Sequence, residues 1–183
     1  SDAINIFQFT ANFASPGSSS FSGPTVVPVT AFDSVLDACG GGRSCITQPG
    51  TAVKIDHLGY RQRPLFRAAY RNFGTHESIV TNQSVEASVG VAGIRWWEIR
   101  NPNGTPTIFQ EGTYSPGDGV QRWMGSIAMD HVGDIALGYS VSSGSVRPSV
   151  FFTGRVPRGP NQFFFARSTA AMRSSLRSSL VPQ

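Results

Sequence analysis

The feature that most constrains how this chain can fold is residues 122–143, RWMGSIAMDHVGDIALGYSVSS. Two apolar runs, 124–129 and 135–139, are joined by Asp130-His131-Val132-Gly133-Asp134, which has the Asp and Gly content of a tight reversal. Both runs are rich in small residues: Gly125, Ser126, Ala128, Ala136, Gly138 and Ser140. Side chains this small let backbones crowd together, as at the inner strands of a radially packed sheet. The segment therefore speaks for architecture and says little about chemistry.

Composition agrees with an all-β chain. Twenty Gly and twelve Pro, with aromatics at 11% and charged residues at only 14%, favour a turn-rich β protein over a helical one, and the low charge suits an extracellular setting. The net charge of +4 is unevenly placed. Up to Asp134 there are nine basic and eleven acidic residues; beyond it there are six Arg and no acid. The basic balance belongs to the tail, so Arg147, Arg155, Arg158, Arg167, Arg173 and Arg177 read as solvated, and no nucleic-acid footprint with interleaved aromatics is expected. No transmembrane run, signal peptide or start Met is present, and the chain reads as a processed or excised piece.

Strand signals recur along the chain. Residues 4–13 alternate, and 25–29 form a short β-branched run. Residues 31–54 form a long irregular excursion, of the kind usually reserved for function or surface. Four successive strands follow at 65–73, 78–86, 93–100 and 107–114, separated by turn residues, with Asn103-Gly104 the strongest hairpin signal. Three more occupy 123–129, 135–142 and 149–154. A weak internal echo, about sixty residues apart, aligns Ala69-Tyr70-Arg71 with Ala128-Met129-Asp130. In the tail, residues 168–180 place Met172, Leu176 and Leu180 on one face of an expected helix, weakened by its serines.

Several stretches resemble a group of large secreted bacterial proteins that carry a sialidase-like β-propeller. The likeness rests on YRNFGTHESIVTNQSV (70–85), AGIRWWEIR (92–100), QEGTYSP (110–116), residues 122–143 and RPSVFFTGR (147–155), and it spans about residues 4–155. It implies a propeller, secretion, a disulfide near Cys39 and Cys45, and further blades on both sides. The tail at 156–183 does not share the likeness, and the Ser-x-Asp-x-Gly-x-x-Trp box of true sialidases is absent. The expected architecture is thus a partial propeller of about two four-stranded blades plus flanking strands over residues 1–155, with a β-sandwich as the alternative.

Candidate chemistry is sparse. A sialidase site needs an arginine cluster, a tyrosine backed by a glutamate, and an acidic proton donor. Arg61, Arg63, Arg67, Arg71, Tyr60, Tyr70, Glu77 and Asp56 supply those residue types without falling on positions that carry over a role. His76-Glu77 has the make-up of an acid–base centre, against a plainer reading in which His76 ends a strand and serves a turn. His57 beside Asp56 and His131 beside Asp130 read the same way, and Ser126, Asp130 and His131 lack the pattern of a nucleophile elbow. Trp96 and Trp97 must point to opposite faces of one strand, either packed or offering a platform for sugar rings.

Cys39 and Cys45 flank a Gly-rich loop, and closing it by a disulfide is the simplest account, against two reduced cysteines. Asp33, Asp37 and carbonyls near Gly40 offer oxygen ligands of the calcium type, though not at the spacing of a known loop, and no metal or other cofactor is expected. Asn82-Gln83-Ser84 matches a glycosylation sequon in mid-strand. These residues point to a secreted, non-catalytic structural or recognition segment that needs a protein partner or a second copy. The rivals are a sialidase-like hydrolase fragment and a carbohydrate-binding module.

Overall fold

The structure, a computed structural model, describes residues 2–36, 39–40, 42–57 and 63–156. The expectations for Asp37, Tyr60, Arg61 and the tail helix at 168–180 lie outside these residues. Among the described residues the chain is all-β: eleven strands in antiparallel sheets and one short 3-10 turn.

The centre is a meander of four consecutive strands. Strands β5 (Ala69–Asn72), β6 (Glu77–Ser88), β7 (Val91–Arg100) and β8 (Thr107–Tyr114) lie side by side in chain order. β6 is buried continuously over 80–85 and β7 over 92–99, because both faces of this sheet are covered there. They are joined by a two-residue turn in which Gly90 adopts φ 73° and donates its N–H to the Glu86 carboxylate. Such a conformation favours glycine. At the next reversal it is Asn101, at φ 52°, that takes the left-handed conformation, with Gly104 bonded back to its carbonyl. Asparagine tolerates this better than other non-glycine residues, because its short amide bonds locally.

A second meander contains β9 (Gln121–Met129), β10 (Ile135–Ser142) and β11 (Ser149–Arg155). It has the three strands that the sequence places in this stretch, one short of a four-stranded blade among the described residues. The reversal at 130–134 forms as its composition predicts. Asp130 accepts the N–H groups of Val132 and Asp134 at 2.9 Å, and Gly133 sits at φ 91°.

The two meanders stack with β9 laid over β6 and β7. Val80, Ile94, Trp96 and Tyr114 of the first sheet meet Ile127, Met129, Ile135, Leu137, Tyr139 and Val141 of the second. The approach is close because Gly125 has no side chain: a Cβ there would overlap the Asn82 amide and lie 3.0 Å from Ile94 Cγ2. Here the small-residue pattern has a direct consequence.

The other face of the first sheet is covered by the start of the excursion. The Phe32 ring meets Trp97 edge-on at 5.5 Å, and Arg95 donates to the Thr30 carbonyl and to Glu111. Further on, β3 (Ser44–Ile46) and β4 (Ile55–Asp56) form a small hairpin. Leu36, Cys45 and Ile46 pack against Ala92 and Trp123, and Cys39 is disulfide-bonded to Cys45. The first two strands, β1 (Ala3–Thr10) and β2 (Ser20–Pro28), make a separate ribbon whose outer half is exposed. Phe7 and Phe21 stack on it at 5.4 Å, and Phe9 and Phe21 are each 69% exposed.

Candidate ligand cleft between the two meanders

The sequence RWWEIR of β7 sorts its side chains to two faces. Arg95 and Trp97 turn toward residues 30–32, whereas Trp96, Glu98 and Arg100 turn toward the second meander. Where the two sheets part, a cleft of about 320 Å³ opens. It is lined by Phe73, His76, Glu98, Arg100, Phe109, Gln110, Met129, Val132, Gly133 and Arg155.

Glu98 lies at the base, only 2% exposed. A buried carboxylate is tolerable only when bonded. Glu98 accepts from Ser78 Oγ at 2.9 Å, Arg100 Nε at 3.0 Å and Gln110 Nε2 at 2.5 Å. Arg100 also lies over the Phe109 ring, and Arg155 lies 5.8 Å above the Trp96 ring. Burial lowers the Arg155 pKa from its ordinary value, while attraction to Glu98 works the other way. His76 closes the rim by stacking on Phe73 at 4.7 Å.

The sequence-nominated residues only partly meet. Tyr70 donates its hydroxyl to Glu77 at 2.7 Å, so a tyrosine backed by a glutamate does exist. The hydrogen bond to Glu77 raises the Tyr70 pKa, the opposite of what an activated nucleophile needs, and Tyr70 and Asn103 hold the Glu77 carboxyl below its usual range. The pair sits at the exposed edge of the sheet. Arg71 points to the other face, where its Nε bonds the Met129 carbonyl at 3.1 Å. Arg63 and Arg67 stand on the exposed approach to β5, and Asp56 pairs with Arg43 at 2.8 Å. His76 sits in the turn, its carbonyl accepting the Phe73 N–H and its Nδ1 3.1 Å from Thr75 Oγ1.

Both tryptophans of β7 are buried, Trp96 at 3% and Trp97 at 1% exposure, so neither offers a ring face to solvent. Asn82 of the sequon is fully buried. Asp33 uses one carboxylate oxygen to accept the Val35 N–H, and its backbone bridges to Glu86. Among the described residues no cluster of three or more His, Cys, Asp or Glu could hold a metal ion. No helix among them is long and apolar enough to cross a membrane.

Glu98, Arg100 and Gln110 were not singled out from the sequence, and Arg155, read there as solvated with the basic tail, is instead half-buried beside Trp96. One signal was available: Glu98 is the one acid in the strand at 93–100, and an acid in mid-strand needs partners. No protein-family model, curated protein or solved structure matches this chain.

Proposed function

We propose that the chain is a non-catalytic structural or recognition segment of an extracellular protein, and that its two meanders are neighbouring blades of a sialidase-like propeller. In this reading a further blade or a partner chain covers the outer face of β9–β11. The disulfide is in keeping with an oxidising compartment. Consecutive strands lie beside one another in each meander, and the sheets stack face to face, which suits adjacent blades.

One observation carries the proposal. The outward side of β9–β11 presents Ser126, Ala128, Ala136, Gly138, Ser140, Val150, Phe152 and Gly154, with no charge among them. Val150 and Phe152 are 49% and 44% exposed. A flat, uncharged sheet face of small and apolar residues is what a second sheet would cover, and soluble monomers seldom leave one open. The aromatic ribbon of β1 and β2 adds a second apolar surface.

Light scattering across a concentration series tests this. The isolated chain is expected to self-associate, and the double substitution Ser126→Glu with Ala136→Glu is expected to return it to a monomer with an unchanged circular dichroism spectrum. A wild-type chain that is monomeric and well folded at every concentration sinks the proposal. A carbohydrate-binding role through Trp96 or Trp97 is disfavoured by the burial of both rings.

A further inference from the structure

We propose that the cleft between the two meanders binds a small monocarboxylate with an apolar or aromatic body. Its lining carries two guanidinium groups, Arg100 and Arg155, against one carboxylate, Glu98, a surplus of one positive charge before His76 is counted. Glu98 already accepts three hydrogen bonds, which use most of the roughly four lone-pair sites of a carboxylate. Glu111 adjoins the cleft beside Arg155, but its carboxylate is bonded by Arg95 and by Thr30.

An anion entering the cleft would meet guanidinium N–H groups in the planar fork that matches a carboxylate. It would also offset the desolvation that lowers the Arg155 pKa. Phe73, Phe109, Met129 and Val132 form the rest of the wall, so an apolar body is favoured over a polyhydroxylated one. A volume of about 320 Å³ lies at the small end of ligand sites and suits a molecule of the size of phenylacetate. This cleft lies between the sheets, away from the outward face of β9–β11, so the site and the assembly reading stand or fall separately.

The test is a titration of the isotopically labelled chain with sodium phenylacetate, followed by amide and indole chemical shifts. Saturable shifts at Trp96, Gln110 and Gly133 are expected. Arg155→Gln should weaken binding about tenfold, as expected for loss of a charge-assisted hydrogen bond, whereas Arg147→Gln, at an exposed turn, should leave it unchanged. Phenylacetamide, which keeps the body and loses the charge, should not bind, and this arm holds even if Arg155→Gln fails to fold. No saturation by phenylacetate up to about 10 mM, in the weak range for a small ligand, overturns the proposal. So does equal binding of phenylacetamide, equal binding by folded Arg155→Gln, or glucuronate binding as tightly as phenylacetate.

Discussion

Gly125→Ala is the sharpest probe of how the two meanders meet. A methyl at this position would overlap the side chain of Asn82, which is fully buried, and would stand 3.0 Å from Ile94 Cγ2. Gly125 is not among the glycines with positive φ, so the cost is steric and not conformational. Overpacking a tight interior costs about 1–3 kcal/mol. For a chain of this length that is a fall in Tm of about 3–10 °C. Neither polar atom of the Asn82 amide has a hydrogen-bond partner among the described residues. Asn82→Ala therefore removes a buried amide with no bond to lose, and should be far milder than the usual truncation of a buried polar side chain. The double variant Asn82→Ala with Gly125→Ala should then recover much of the loss, a coupling of about 1 kcal/mol or more. Thermal and urea unfolding of the four proteins, followed by tryptophan fluorescence, measures it. If Gly125→Ala melts within a degree of wild type, or the two substitutions are simply additive, the close approach of β9 to β6 is wrong.

Two further outcomes follow from single contacts. Burial opposes the charge of Glu111, but the Thr30 bonds and Arg95 more than offset this and depress its pKa in the folded state. Its stabilising contribution is therefore complete above the ordinary glutamate value of about 4.3 and is lost as pH falls through the lower folded value; Glu111→Gln should flatten the acid limb of a Tm-against-pH curve, and an unchanged limb refutes this. Replacing Cys39 and Cys45 by Ser opens a loop whose ends are six residues apart. Loop entropy sets the loss at about 2 kcal/mol, read as a lower urea midpoint at constant m-value; no shift would refute the estimate.

The strand pattern was largely legible. Residues 107–114 and 135–142 form strands with the bounds the alternation and turn residues gave. The opposite facing of Trp96 and Trp97 follows from the two-residue period alone. The strand expected at 65–73 shrinks to Ala69–Asn72, because Leu65 instead bonds the Asn82 carbonyl as an isolated contact. The one expected at 25–29 starts at Ser20, since Phe21 and Ser22 find partners in Phe9 and Gln8. Pairing across a ribbon overrides the weak local preference of Ser and Gly. The cleft was not legible, because its members come from β7, β8, β9, β11 and two reversals, and only the stacking of two sheets brings Arg155 near Glu98.

Strand β7 shows why the fold and the candidate site cannot be separated. Five consecutive residues, Arg95 to Ile99, are each at most 6% exposed, yet two of them are charged. A strand buried on both faces would ordinarily be apolar throughout. Here each charge has partners on its own side: Glu111 and the Thr30 carbonyl for Arg95, and Ser78, Arg100 and Gln110 for Glu98. Apolar residues of the same size would pack these positions at no desolvation cost, so buried charges are weak grounds for stability. On the Arg95 side the pair fastens the chain start and excursion to the sheet through Thr30, and Phe32 completes the contact over Trp97. On the Glu98 side the polar network ties β7 only to its neighbouring strands, through Ser78 of β6 and Gln110 of β8, and opens into a cleft with two arginines. That asymmetry places structural anchoring on one face of β7 and ligand recognition on the other.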